Sequence, residues 1–182
     1  LIAFCARVSN PDNQNNNKTA PGLLKYLIKH GHWSPFEMVS LTLEIETTRD
    51  ISHQIVRHRS FSFQEFSQRY AVSNVFQVRE ARRQDSTNRQ NSIEMNLRDP
   101  EDRRLDESFS MTQHKLIRLA REAYECALDK GIAKEQARAV LPEGNTTSRM
   151  YVNGTLRSWI HYIELRGDNG TQKEHIDIAN AC

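Results

Sequence analysis

Residues 57–70 read Arg57-His58-Arg59-Ser60-Phe61-Ser62-Phe63-Gln64-Glu65-Phe66-Ser67-Gln68-Arg69-Tyr70. Guanidiniums at Arg57, Arg59 and Arg69 alternate with hydroxyls, amides and one acid, and the Phe61, Phe63 and Phe66 rings are threaded between them. A guanidinium presents a rigid fork of donors that matches phosphate oxygens and keeps its charge at any working pH. Hydroxyls and amides add the directional bonds that fix how an anion lies. An isolated Arg-His-Arg triplet reads equally as a solvated basic turn. Here the serines and the last arginine complete an Arg-His-Arg-x-x-Ser-x-x-x-x-Ser-x-Arg pattern, which an arbitrary turn does not require. Ser67 could also be read as a nucleophile, but the sequence offers it no partnered base.

A second set lies near the C-terminus. Arg157, His161 and Leu165 recur at i, i+4 and i+8 and share a helix face, with Arg166 one step round; Trp159, Ile160 and Ile163 are available for the buried side. On spacing alone Arg157 and His161 form an exposed polar stripe. Cys5, Cys126 and Cys182 are scattered and odd in number, which suits packing in a reducing compartment better than a disulfide framework. No Cys/His pair has zinc-ligand spacing, and no GxGxxG or Walker loop is present. Neither thiolate nor metal catalysis is supported.

The elements that must hold these groups follow from pattern. Residues 10–18 are Asn-rich and form a loop. Leu23, Leu24, Leu27 and Ile28 predict a helix over residues 21–30. Residues 38–48 alternate, with Val39, Leu41, Leu43 and Ile45 against Ser40, Thr42, Glu44 and Glu46, as in a half-buried strand. Asp50 is placed to cap a helix running toward Arg57, after which the Arg-His-Arg run forms a loop into a strand. Residues 81–99 are polar and predict an exposed excursion; Arg79, Arg82, Arg83 and Arg89 read there as a solvated face. Residues 101–130 form the longest helix, with Leu105, Phe109, Leu116, Ala120, Ala123 and Ala127 in register and Gly131 as its stop. A short helix from Ala133 ends before Pro142, residues 146–152 form a strand, and Asn153-Gly154-Thr155 opens the last helix, through Leu165.

The formal net charge is +2 and the pI about 8.5, so an anion site here is local rather than the broad cationic surface of a nonspecific nucleic-acid binder. No apolar run approaches the roughly 20 residues that span a bilayer, and no leader resembles a signal peptide, giving a cytoplasmic expectation. The length suits one domain. The chain opens without an initiator Met and closes without a Gly or Pro stop, so residues 1–182 are expected to be a single domain truncated at both ends.

The 57–69 pattern resembles the signature of the flavin-dependent thymidylate synthases, which methylate dUMP with a folate and a reduced flavin. His30-Gly31-His32-Trp33-Ser34-Pro35-Phe36-Glu37 is similar to that family's His-x-Ser/Thr-Pro-Phe-Glu segment, and Ala6-Arg7-Val8-Ser9 to its first helix-to-loop segment. Ala137-Arg138-Ala139-Val140-Leu141-Pro142 and the stretch from Thr155 to Arg166 resemble its two remaining blocks, in order. The resemblance implies an α/β fold of the α+β type, with a mostly antiparallel sheet flanked by helices. It also implies tightly bound FAD, with NADPH and methylene-tetrahydrofolate as co-substrates, no metal, and a homotetramer whose subunits share active sites.

By the same resemblance, Ser34, Arg57, His58, Arg59, Glu65, Thr155, Arg157 and His161 meet the flavin, with Glu37 and Ser9 as weaker candidates. His58 either stacks on or bonds the flavin ring, or holds the folate. The nucleotide falls to Gln54, Arg57, Glu65, Ser67, Gln68, Arg69, Arg138 and Arg166, with Arg69, Arg138 and Ser67 as the phosphate clamp. Arg166 is the catalytic candidate: adding hydride at C6 or methylene at C5 pushes negative charge onto the uracil N3/O4 edge, which a fixed guanidinium stabilises. The sequence departs from the family's commoner pattern at Met38, at Phe63-Gln64, at Thr155 and His161, and at Gly170. The competing class is a noncatalytic nucleic-acid module built on Arg57, Arg59, Arg69 and the arginines of residues 79–89 with their neighbouring rings. It leaves the blocks around Ser34, Arg138 and Arg166 unexplained.

Overall fold

The alternating residues 38–48 become strand β1 (Ser40–Thr48), and residues expected as a strand from 146 become β5 (Thr147–Thr155). In the computed structural model, which describes every residue except Asn169, these two pair antiparallel along their full length, Leu43 opposite Val152 and Ile45 opposite Met150. The signature strand β2 (Ser62–Glu65) adds to the other side of β5, Phe63 opposite Val152. Among the described residues the main sheet thus runs β1-β5-β2, all antiparallel, with β2 at an edge. Phe76 bridges to Thr146 and extends the sheet beyond β5's start.

One face of the sheet is apolar. Met150 and Val152 are wholly buried there, beneath α3 (Arg49–Ile55), α6 (Leu156–Arg166) and α7 (Lys173–Ala181), which contribute Ile51, Ile55, Trp159, Tyr162 and Ala179. The opposite face carries Thr42, Glu44, Glu46, Arg149, Tyr151 and Asn153, all exposed, with Arg149 paired to Glu46 at 2.5 Å. Helices therefore cover one face of the sheet in a single chain. α1 (Ile2–Ala6) packs at the 3-10 turn Ser34–Met38 and against α2 (Ala20–Lys29).

The expected cap at Asp50 is corrected. α3 begins two residues earlier, with Thr48 at the N-cap position, and Asp50 lies inside the first turn, where it accepts from Thr48 Oγ1 at 2.6 Å. α6, by contrast, starts later than expected, because β5 runs on through Asn153 and Gly154, and α7 follows it. Thr155 is the cap of α6, accepting from Ser158 N at 3.3 Å.

Residues 81–99 are not a featureless excursion. They hold a small hairpin, β3 (Arg82–Gln84) with β4 (Ser92–Glu94), and the arginines are occupied. Arg79 pairs with Asp50 and Glu174, Arg82 with Glu94, and Arg83 with Asp102. The long helix α4 (Pro100–Asp129) is capped by Asp99, which accepts from Glu101 N at 2.9 Å; Gly131, at φ +80°, follows its end. Its buried side is Gln113, Ile117, Ala120 and Tyr124, whereas Leu105, Phe109 and Leu116 stay exposed. Gln113 is inside because its amide mimics a paired strand: it accepts from Arg79 N and donates to Arg79 O, both at 2.8 Å. α5 (Lys134–Ala137) follows as expected.

Gly154 shows how the signature loop is fastened. Phe61 is buried against Trp159 and Tyr162, with ring centroids 4.6 and 5.6 Å away, and lies directly over Gly154. A Cβ on Gly154 would fall 2.2 Å from Phe61 Cδ1. Gly154→Ala is therefore expected to destabilise the protein by about 3 kcal/mol through overpacking, lowering Tm by roughly 6–12 °C. Adding Phe61→Leu should return part of the loss in a thermal melt. Additive losses in the double variant would show that the collision is not the cause.

Candidate active site

Two clusters form around the expected residues, with a third group further along the chain. The first lies where the Ser34–Met38 turn meets the start of α6. Arg157 Nη1 donates to Glu37 Oε1 at 2.9 Å. Hydrogen bonds from Thr155 and Arg157 hold the Glu37 carboxyl below the usual carboxylate range. The His161 ring sits edge-on to Trp33 at 4.5 Å, and its Nδ1 is 3.5 Å from Glu164. Ser34 is exposed at the start of the turn. Glu37, a weaker candidate by sequence, is the residue that joins this cluster; Ser9 is exposed beyond the end of α1.

The second cluster surrounds His58. Arg166, the last residue of α6, donates from Nε to His58 Nε2 at 2.9 Å. Burial, and then the Arg166 charge, lower the His58 pKa, so its ring is a neutral acceptor. Tyr162 stands edge-on to His58 at 5.0 Å, with burial pushing its phenol pKa up. Behind them His175 is fully buried, bonded to Tyr162 OH at 3.0 Å and to Gln54 Oε1 at 3.2 Å. Arg57 and Arg59 flank His58 and are exposed.

The phosphate-clamp candidates meet at α5. Arg69 Nε donates to Glu135 Oε2 and Arg138 Nε to Glu135 O, each at 3.2 Å. Ser67 Oγ accepts from Arg69 N at 3.3 Å. One chain thus supplies both guanidiniums to one locality, at the opposite end of β2 from His58.

Two motif side chains are engaged within the chain itself. The Glu65 carboxylate turns away from both clusters, accepting from Ser52 Oγ at 2.9 Å and Ser148 Oγ at 2.8 Å beside Arg49, and so ties α3 to β2 and β5. Gln68 is buried and donates to Ser73 Oγ at 3.1 Å. Both side chains, expected at the flavin or the nucleotide, are thus occupied by hydroxyls of the same chain. The cysteines also depart from expectation: Cys5 is half-buried, and Cys126 and Cys182 are exposed rather than packed. His175 and Tyr162 were missed by sequence reasoning. Their signal was weak: a histidine in the first turn of a polar helix resembles any solvated one until the fold buries it.

The donor set fits an anionic dinucleotide such as FAD. Exposed Arg57, Arg59 and Arg157 offer charge to a diphosphate, and Thr155, Ser34 and His161 offer polar contacts at a helix start.

Comparison with known proteins agrees with this arrangement. The sequence model of the family described as thymidylate synthase complementing protein matches residues 1–182. The chain is 58% identical over 184 residues to a probable flavin-dependent thymidylate synthase of Paramecium bursaria Chlorella virus 1, covering all of this chain and 82% of that one. It is 53% identical over 182 residues to the flavin-dependent thymidylate synthase of Synechocystis, covering 81% of that protein. Among solved structures, the UMP/dUMP methylase PolB from Streptomyces cacaoi bound with 5-Br dUMP superposes with a TM-score of 0.80. Its identity is 28%, over 98% of this chain and 80% of that one. With its sequence blocks gathered into these clusters and its whole length matched by the family model, the chain belongs to the thymidylate synthase complementing proteins, the flavin-dependent thymidylate synthases.

Proposed function

We propose that the chain catalyses the reductive methylation of dUMP to dTMP, with FAD as prosthetic group, NADPH as reductant and methylene-tetrahydrofolate as carbon donor. The carrying observation is the Arg166–His58 pair, a permanent cation beside a neutral imidazole, set between the flavin-side cluster and Gln54. Support comes from the relatives named as flavin-dependent thymidylate synthases and from PolB, whose solved structures are bound with 5-Br dUMP and with 5-Br UMP.

Ser34, Arg57, Arg59, Thr155, Arg157 and His161 would hold the flavin. When bound and reduced, it supplies the hydride. The chain's residues do the rest. Arg69, Arg138 and Ser67 grip the phosphate, and Gln54 positions the base. Arg166 meets charge developing on the uracil edge and assists by attraction, since a guanidinium does not exchange its proton at working pH. His58, kept neutral, holds the Arg166 fork in place.

The working form is a homotetramer with shared sites. The exposed apolar residues of α4, with Leu116 and Leu119 beside Val140 and Leu141 around a cavity of about 490 Å³, leave more apolar surface than a lone chain would keep in water. Among the described residues no helix is long and apolar enough to cross a membrane, and we place the protein in the cytoplasm. The nucleic-acid reading loses its support where Arg79, Arg82 and Arg83 are each held by carboxylates.

The protein should purify yellow, bleach with NADPH and recolour in air, and convert dUMP to dTMP. A variant with Cys5, Cys126 and Cys182 all replaced by Ser should keep this turnover within about threefold, because no thiolate attacks C6. A colourless protein that FAD cannot reconstitute, yet that retards single-stranded DNA at physiological salt, would overturn the reading. So would a flavin-loaded, cysteine-free protein that makes no dTMP.

A further inference from the structure

A line of hydrogen bonds, half-buried at its outer links and fully buried at its last, runs from the surface ion pairs to His175 and Tyr162. Glu174 Oε2 lies 3.2 Å from Arg79 Nη1, and Arg79 Nη2 is 2.6 Å from Asp50. Gln172 Nε2 donates to Glu174 Oε2 at 2.9 Å, and Gln54 Nε2 donates to Gln172 Oε1 at 2.9 Å. Gln54 Oε1 then faces His175 Nδ1, and His175 Nε2 faces the Tyr162 hydroxyl.

The direction of every link follows from the first. An ion-paired carboxylate only accepts, so Gln172 must turn its NH₂ toward Glu174 and its carbonyl toward Gln54. Gln54 must in turn present its own NH₂, which leaves its carbonyl for His175. The proton of His175 must therefore sit on Nδ1, leaving Nε2 bare to accept from Tyr162 O–H. The surroundings keep the ring neutral. It is wholly buried, and Arg166 on α6 and His58 on the signature loop face it. Burial first, and then those two groups, push its pKa down to about 4.

We propose that His175 is a positioning residue that fixes the amide of Gln54, so that Gln54 meets the nucleotide as an N–H donor. This rests on the reading of Gln54 as a dUMP contact. With one Nε2–H given to Gln172 and its carbonyl taken by His175, the donor that Gln54 has left is its second Nε2–H. That suits a carbonyl or ribose oxygen. Without the His175 Nδ1–H, the half-buried Gln54 carbonyl loses its partner and the amide is no longer held.

The tautomer can be read without any turnover. In holoprotein with ¹⁵N-labelled histidine at neutral pH, His175 is expected to show a protonated Nδ1 and a bare Nε2. An Nε2–H tautomer or an imidazolium would overturn the proposal, whatever the enzyme does. Substitution then separates positioning from packing. His175→Asn keeps an N–H near Nδ1, whereas His175→Gln keeps only a group near Nε2 and His175→Leu keeps neither. KM for dUMP should rise roughly tenfold in the Leu and Gln variants, the loss of about one buried hydrogen bond, and return to within about threefold of wild type in the Asn variant. NADPH oxidation in air should hold in all three. An Asn variant no better than Leu, or a flavin-loaded Leu variant with an unchanged KM, would defeat the positioning role. Wild-type holoprotein that makes no dTMP would instead defeat the proposed function, and the tautomer result would still stand or fall on its own.

Discussion

Arg166→Ala is expected to lower dTMP formation by roughly 10²–10³-fold while the protein stays yellow and still oxidises NADPH, the scale seen when a preorganised donor is removed from a developing anion. Arg166 closes the C-terminal end of α6, and the flavin-side residues Thr155 and Arg157 open it. About nine residues of helix, on the order of 14 Å, separate the two ends. Losing the guanidinium should thus leave the flavin cluster alone. It should disturb His58, whose Nε2 loses its donor and whose pKa is lowered in part by the Arg166 charge. The His58 pKa should rise toward its ordinary value in the variant, so residual activity would gain a dependence on mildly acid pH that the parent lacks. Flavin absorbance, NADPH oxidation and dTMP yield measured on the same sample decide the matter. Near-normal dTMP synthesis would remove Arg166 from the reacting edge. Flavin lost together with activity would make it a binding residue.

Much of this was legible in the sequence, and the reasons differ by element. β1 and α2 announced themselves because their apolar residues recur at the period of the structure that buries them. The signature loop was legible by residue type, since guanidiniums and hydroxyls at fixed intervals have few other uses. The failures share a cause: they depend on what a polar side chain meets after folding. Gln113 carries no apolar signal yet is buried on α4, because the Arg79 backbone supplies a partner for each end of its amide. Glu65 and Gln68 stand in the motif, but the neighbouring hydroxyls that their side chains bond could not be read from it. His175 is the converse case, a residue outside the motif that reaches the site through Gln54. Leu105, Phe109 and Leu116 were placed in register along α4, and the single chain leaves them exposed, for the proposed homotetramer to cover.

That assembly is where the second large effect is expected. Arg69→Ala and Arg166→Ala proteins, each inactive alone, should regain part of the dTMP activity when unfolded and refolded together. Arg69 and Arg138 meet at Glu135, so the proposed phosphate grip would come from one chain. Arg166 and His58 lie at the other end of β2, whose four residues put on the order of 10 Å of strand between the groups. Within one chain a nucleotide would have to lie along an exposed sheet edge to touch both. If two chains face each other, the grip of one can oppose the Arg166 of the next and enclose the nucleotide between them. A mixed tetramer then contains some sites in which both arginines are intact, one from each variant. If both came from the same chain, every site would lack one of them however the subunits combined. Mixing must be verified independently, for example by a tag on one variant that carries the other through purification. Mixed tetramers confirmed in this way, flavin-loaded and still without dTMP synthesis, would show that each site is built from a single chain.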